Sequence, residues 1–201
     1  MSLAALAIRG TVGPLFVGHG AQKLFGSFGG HGVEGTGGFF ESLGLRPGRK
    51  HAIAAGVAET AGGALLTLGA FTPFATAGIT ATMTTAIRKV HWKNGPWSAS
   101  GGYEYNLVLI AAMTALADMG PGRPSVDARA FPRLKGARMA LLSLAAGVAG
   151  SFLATSPQAA EMLGGQPQQP DTVAPDIDEP RFTRDGDRTT APAAAAVGTP
   201  S

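Results

Sequence analysis

The chain contains no cysteine among its 201 residues. That excludes disulfides, thiolate nucleophiles, Cys-ligated iron–sulfur clusters and covalently attached haem. Charge is scarce as well. Asp, Glu, Lys and Arg make up 14% of the chain, where a soluble domain carries about 25%. Tryptophan and tyrosine number two each, and all four fall in one stretch, at Trp92, Trp97, Tyr103 and Tyr105. Acidic residues are few before Pro157: seven of the thirteen lie in residues 157–201, with three bases, for a net charge there of −4. Residues 1–156 carry thirteen bases and six acids, a net of +7. This is not the composition of an ordinary water-soluble enzyme.

What the chain has instead is glycine, 30 residues of it, and five long apolar runs. They are Leu3–Phe25, Ala52–Leu68, Phe74–Ile87, Tyr105–Met119 and Met139–Ser156. At about 1.5 Å per residue they reach roughly 21–35 Å, against a hydrocarbon core of about 30 Å. A soluble helix of that length shows a charged stripe, and these do not. The bases sit between the runs, at Arg46/Arg49/Lys50, Arg88/Lys89/Lys93 and Arg129/Arg133/Lys135/Arg138. That is the placement of membrane-flanking charges rather than of a nucleic-acid stripe, so nucleic acid is not an expected partner and the lipid bilayer is. The clustered Trp and Tyr fit an interfacial aromatic belt. Arg9 and Lys23 lie inside and after the first run rather than ahead of it, so that run reads as a retained helix and not as a cleaved signal peptide. Between the first two runs, Gly26–Gly38 reads as a glycine-rich loop, followed by one or two interfacial helical turns at Phe39–Gly44. Residues 157–201 hold seven prolines and too few large apolar side chains to drive ordering, so a disordered tail is expected there.

Several motifs compete for a functional reading. Gly30-His31-Gly32-Val33-Glu34-Gly35 spells G-x-G-x-x-G, but a dinucleotide site needs a preceding buried strand, and an apolar helix precedes it here. His31 and His51 read as loop residues without a carboxylate or imidazole one helical turn away. A site built from His19, Glu59 and His91 has no support from spacing, and no metal is expected. The ionisable groups inside the apolar runs carry more weight, because charge at depth is costly and is usually paired or functional. Counting inward from Phe25 and from Ala52 puts His19 and Glu59 roughly 10 Å below one surface, which predicts a His19–Glu59 pair. Arg9 and Asp118 lie toward the opposite surface and are expected to pair there. The plainer reading of both pairs is that they hold helices together. Ser143, Gly147 and Ser151 recur at four-residue intervals, as do Ala58 and Gly62. Such small-residue stripes let membrane helices approach closely and also allow a homo-oligomer.

Taken in order, several blocks resemble the DoxX family of small bacterial integral membrane proteins. They are Arg9, Gly18-His19-Gly20-Ala21-Gln22-Lys23-Leu24-Phe25-Gly26, Gly35-Thr36-Gly37-Gly38-Phe39-Phe40, Glu59 with Gly62-Gly63, and Leu68-Gly69-Ala70-Phe71-Thr72. His91, Tyr103-Glu104-Tyr105-Asn106-Leu107 and Gly120–Asp127 complete the series, so the resemblance covers about residues 4–128. It implies an all-α fold, a transmembrane four-helix bundle over residues 1–128. To this the sequence adds a basic loop and a fifth apolar helix over 129–156 and the disordered, Pro-rich acidic tail over 157–201. The resemblance further implies a multi-pass protein of the bacterial plasma (inner) membrane in a redox setting. With no cysteine, a diffusible quinone or the cofactor of a redox enzyme partner is the carrier to expect. His19, Lys23, Glu59, His91 and Glu104 are then the candidate polar cluster, since a histidine backed by a carboxylate offers a quinone carbonyl a hydrogen bond and a proton route. No single catalytic residue emerges. The alternative from another class is a non-enzymatic membrane scaffold or a small-solute or lipid-handling module.

Overall fold

Each apolar run becomes one long helix, with ends within a few residues of those read from the sequence. The computed structural model describes residues 2–165, and every regular element among them is helical. In order they are α1 (Leu3–Phe25), α2 (Gly32–Ser42), α3 (Gly48–Leu68), α4 (Thr72–Ala86), α5 (Glu104–Met119), α6 (Val126–Ala130), α7 (Ala137–Ala154) and α8 (Pro157–Met162). The ends follow local chemistry. Ser2 caps α1 by accepting a hydrogen bond from the Ala5 amide, which satisfies one of the donors a helix start leaves free. Gly69 closes α3 in the left-handed region, at φ 60°, where a side chain would be strained. Four residues later Pro73 stands in the first turn of α4, where its missing N–H costs nothing.

The tightest packing is between α1 and α3, and glycine sets it. A Cβ on Gly13 would lie 2.8 Å from the Gly63 carbonyl oxygen, and one on Gly20 would lie 2.6 Å from that of Gly56. The two helices are therefore antiparallel, with backbones in contact at two levels seven residues apart. The buried positions of α3 include Ala52, Gly56, Glu59, Gly63 and Leu66, and this three-then-four spacing is that of a helix–helix seam. Ala58 is exposed, so the Ala58–Gly62 pair singled out in the sequence is not the packing surface; Gly56 and Gly63 are.

On the other side of the core, α7 packs on α4 through Ala140, Ser143, Gly147 and Ser151. A Cβ on Gly147 would come within 2.6 Å of the Thr80 Cβ. The small-residue stripe of the last run thus packs within the chain. On α4 it meets Thr80, which faces Gly147, and Thr85, whose hydroxyl donates to that of Ser151 at 2.9 Å. α5 closes the bundle, and Phe16, Leu66, Ile79, Leu109, Met113 and Leu116 form the apolar centre.

The distribution of polarity is inverted relative to a soluble bundle. Arg9, Glu59, Asn106 and Asp127 are buried, whereas Leu3, Leu68, Phe74, Val108, Leu141, Leu142 and Leu153 are at least half exposed. α3 and α7 are each long and apolar enough to cross a membrane.

Three expectations are corrected. The glycine-rich loop is shorter than read, because α2 begins at Gly32 and takes in the last four residues of the G-H-G-V-E-G run, with His31 at its N-cap. Its backbone at Gly37 lies against Arg49, and Glu41 accepts a hydrogen bond from the Gly48 amide at 3.0 Å, so the start of α3 holds α2 in helical form. His51 is a buried residue of the first turn of α3, not a loop residue. Residues 157–162, read as the start of the disordered tail, form α8, capped by the Ser156 hydroxyl; the remainder of that tail, from residue 166, lies outside the described residues.

Candidate functional site

Glu59 sits in the middle of the α1–α3 seam, 4% exposed. Its Oε2 accepts a hydrogen bond from Lys23 Nζ at 2.6 Å. The partner anticipated from the sequence, His19, is exposed instead. Its Nδ1 lies 3.0 Å from Gln22 Oε1, and its ring meets Phe16 edge-on. His19 and Glu59 do share a level along the helices: a Cβ on Gly20 would fall between the Gly56 carbonyl oxygen and the Thr60 amide, at 2.6 and 2.8 Å, which brackets Glu59. What the count of residues missed was direction around the helix. Long helical side chains lean back toward the helix N-terminus, so Lys23, one turn further along, reaches the level of Gly20 and fills the place assigned to His19.

The rest of the proposed cluster does not join this pair by any hydrogen bond or ion pair among the described residues. His91 ends the π turn that extends α4 (Ile87–His91), and its Nδ1 lies 2.7 Å from the Gly101 carbonyl oxygen. Glu104, exposed, accepts from the Ser98 amide at 3.0 Å. Both order the loop between α4 and α5, in which Trp92 stacks on Tyr103 with ring centroids 5.5 Å apart. Trp92, Trp97 and Tyr105 project outward from it, as an interfacial belt requires.

A second polar node lies at the other end of the seam. Arg9, 4% exposed, donates to the carbonyl oxygens of Pro121 at 2.7 Å, Pro124 at 2.9 Å and Thr67 at 3.3 Å. Its expected partner Asp118 is exposed and makes no ion pair with it. The opposite charge that reaches Arg9, without a direct ion pair, is that of Asp127, which the sequence reading passed over. Asp127 is 1% exposed, and its two carboxylate oxygens accept from the amides of Phe71 at 2.8 Å and Thr72 at 2.7 Å. A carboxylate against the first free donors of α4 is the favourable arrangement for the helix dipole. The signal was present in the sequence: Gly120–Asp127 stood among the blocks that carried the resemblance, and only its endpoint was left without a role.

A third contact anchors α7. Arg88 donates to the Ser151 hydroxyl at 2.9 Å and to its carbonyl oxygen at 3.1 Å, with its guanidinium 3.6 Å above the Phe152 ring. Among the described residues no three His, Asp or Glu side chains converge as a metal site would need.

The α1–α3 seam and both of its charged partners fall within one stretch of the chain that matches the DoxX family model, residues 4–92. This segment is a DoxX domain. The chain is accordingly a membrane protein, and its exposed apolar faces fit that setting. The DoxX match begins with α1 and ends at Trp92, and so takes in Arg9, His19, Lys23, Glu59 and His91. The blocks at Tyr103–Leu107 and Gly120–Asp127 lie beyond it. No curated protein and no solved structure matches the chain.

Proposed function

We propose that this DoxX protein is a multi-pass protein of the bacterial plasma membrane that serves as a subunit of a redox or quinone-linked complex, without catalytic activity of its own. All five long helices cross the bilayer in this reading. The observation that carries it is the placement of His19. It lies on the outer flank of α1, one helical turn from the half-buried Lys23 and the buried Glu59. Gln22 holds its Nδ1, which leaves Nε2 facing outward, and an imidazole nitrogen turned toward lipid without a partner is costly. A quinone headgroup diffusing in the bilayer offers a carbonyl oxygen for it, and Lys23 and Glu59 stand behind it as proton-exchanging groups.

The test is quinone content after gentle solubilisation. Wild-type protein should retain quinone, and His19→Leu should lose it while the fold and the Lys23–Glu59 pair persist. Quinone absent from wild type, or equally retained by the variant, sinks the proposal. It would leave the second reading, a non-enzymatic scaffold or solute- or lipid-handling module. That alternative has its own support: Arg9 and Glu59 are both bonded within the protein, as groups that only fix helix packing would be.

A further inference from the structure

The corner formed by the start of α1, the end of α5, α6 and the segment that follows α6 holds an open cleft of about 420 Å³. Its lining is amphipathic. Met119, Phe131 and Leu134 supply apolar surface, and Arg123 and Lys135 supply positive charge. Asp127 also lines it, but both of its carboxylate oxygens are taken by the Phe71 and Thr72 amides, and Arg9 acts on its charge from within the bundle. Arg123 and Lys135 make no ion pair among the described residues. Arg129, Arg133 and Arg138 lie in the same stretch and add to the positive field. The shape of the cleft is built in. Gly120, at φ +75°, ends α5, and a Cβ there would lie 2.9 Å from the Lys135 Cδ, so the lysine stem is laid across the end of the helix. Met119 and Phe131 remain 43% and 41% exposed beside it.

We propose that this cleft binds the phosphate of an anionic membrane lipid, held between Arg123 and Lys135, with the acyl chains lying along Met119, Phe131 and Leu134. Its position at the helix ends is the level of the headgroups in a five-span arrangement, and it joins cationic groups to apolar surface as a lipid, rather than a free anion, requires. Basic residues at the surface attract anionic lipid in any case, by roughly a fivefold gain in affinity for each charge. The proposal is stronger than that: the two residues that line the cleft act, and their exposed basic neighbours do not.

The test uses the full chain in detergent micelles containing equal parts phosphatidylcholine and phosphatidylglycerol, with bound lipid counted by native mass spectrometry. Wild type should retain phosphatidylglycerol over phosphatidylcholine. The Arg123→Gln/Lys135→Gln variant should lose that preference, and Arg129→Gln/Arg133→Gln should keep it. All four residues are exposed, and unchanged far-UV circular dichroism checks the fold of each variant. Equal retention of the two lipids by wild type, or equal loss in both variants, overturns the site. Inorganic phosphate should fail to displace the lipid. Full displacement by it would make the cleft a free-anion site and overturn the lipid assignment. None of these readouts depends on quinone or a redox partner.

Discussion

Replacing Asp127 by asparagine should be among the most damaging conservative changes in this protein. The side chain is buried and accepts two backbone hydrogen bonds at the start of α4. Asparagine keeps one acceptor oxygen and turns an amide toward a second donor, so one charge-assisted bond, worth about 1.5–3 kcal/mol, is lost. The substitution also removes an opposite charge that acts on the buried Arg9 guanidinium without touching it, and breaking a buried pair in direct contact costs about 3–5 kcal/mol, an upper bound for this separated pair. Arg9 retains its three carbonyl partners, which soften that figure, so the total falls at about 3–5 kcal/mol rather than at the sum. For a chain of this size the drop in Tm is then roughly 6–20 °C. Far-UV circular dichroism of detergent-solubilised protein, with SDS titration for the free energy, reads this directly; thiol-reactive dyes have no cysteine to label. Asp118→Asn, at the exposed carboxylate, should stay within about 0.5 kcal/mol of wild type. Arg9→Met should also destabilise, and the double variant should lose about 1 kcal/mol or more less than the sum of the singles. Loss under about 1 kcal/mol for Asp127→Asn, or strict additivity with Arg9→Met, would refute the coupling of the two groups.

The Lys23–Glu59 pair should respond asymmetrically. Lys23→Met strands a carboxylate in the seam and should cost about 2–4 kcal/mol by SDS titration, whereas Glu59→Gln leaves a lysine that is 23% exposed and can reach outward, and should cost about half as much; the double variant should recover part of the loss. Gly147→Val should loosen α7 from α4 and cost about 1–3 kcal/mol through overpacking, read as a lower Tm, while Gly78→Ala, with open space around it, should be neutral. Reporter fusions in the loop after α4, at Ser98, and in the segment before α7, at Arg133, should report opposite sides of the membrane; the same side for both would remove a crossing by α5.

The long helices were legible because their signal is cumulative. A run such as Leu3–Phe25 needs no partner to be recognised, and its ends carry local markers, Ser2 and Gly26. The level of Glu59 in the bundle was legible for the same reason, since helical rise is uniform. Direction around the helix was not. His19 and Lys23 are one turn apart, and only the approach of α3, fixed by Gly13 and Gly20, decides which of them turns inward. Arg9 was legible as a buried charge in need of a partner, but its partners are mostly carbonyl oxygens of the α5–α6 connection, which no residue type announces. The stripe of Ser143, Gly147 and Ser151 told of close packing without naming the other surface. That surface is the threonine face of α4, where hydroxyl and methyl groups match small residues and Arg88 clasps Ser151 at one end.

The two misassigned partners have a common cause, and it bears on what the seam does. Arg9 and Lys23 are fourteen residues apart on α1, about 21 Å along the axis. Each is tied to a group on another element, and between them the backbones of α1 and α3 touch at Gly13–Gly63 and Gly20–Gly56. Glycine contacts permit close approach but do not by themselves decide which glycines meet, because a slide of two turns would set Gly13 against Gly56. Charged groups do not tolerate it: a shift of one turn would leave Glu59 without Lys23 in an apolar setting. The glycines therefore set the distance between the helices, and the Arg9 and Lys23 nodes set the register. Fixing that register also fixes the direction of His19, which cannot turn inward while Gly20 lies against Gly56. Its outward position is a consequence of the seam, so a ligand at His19 would meet α1 on a helix held rigid from behind.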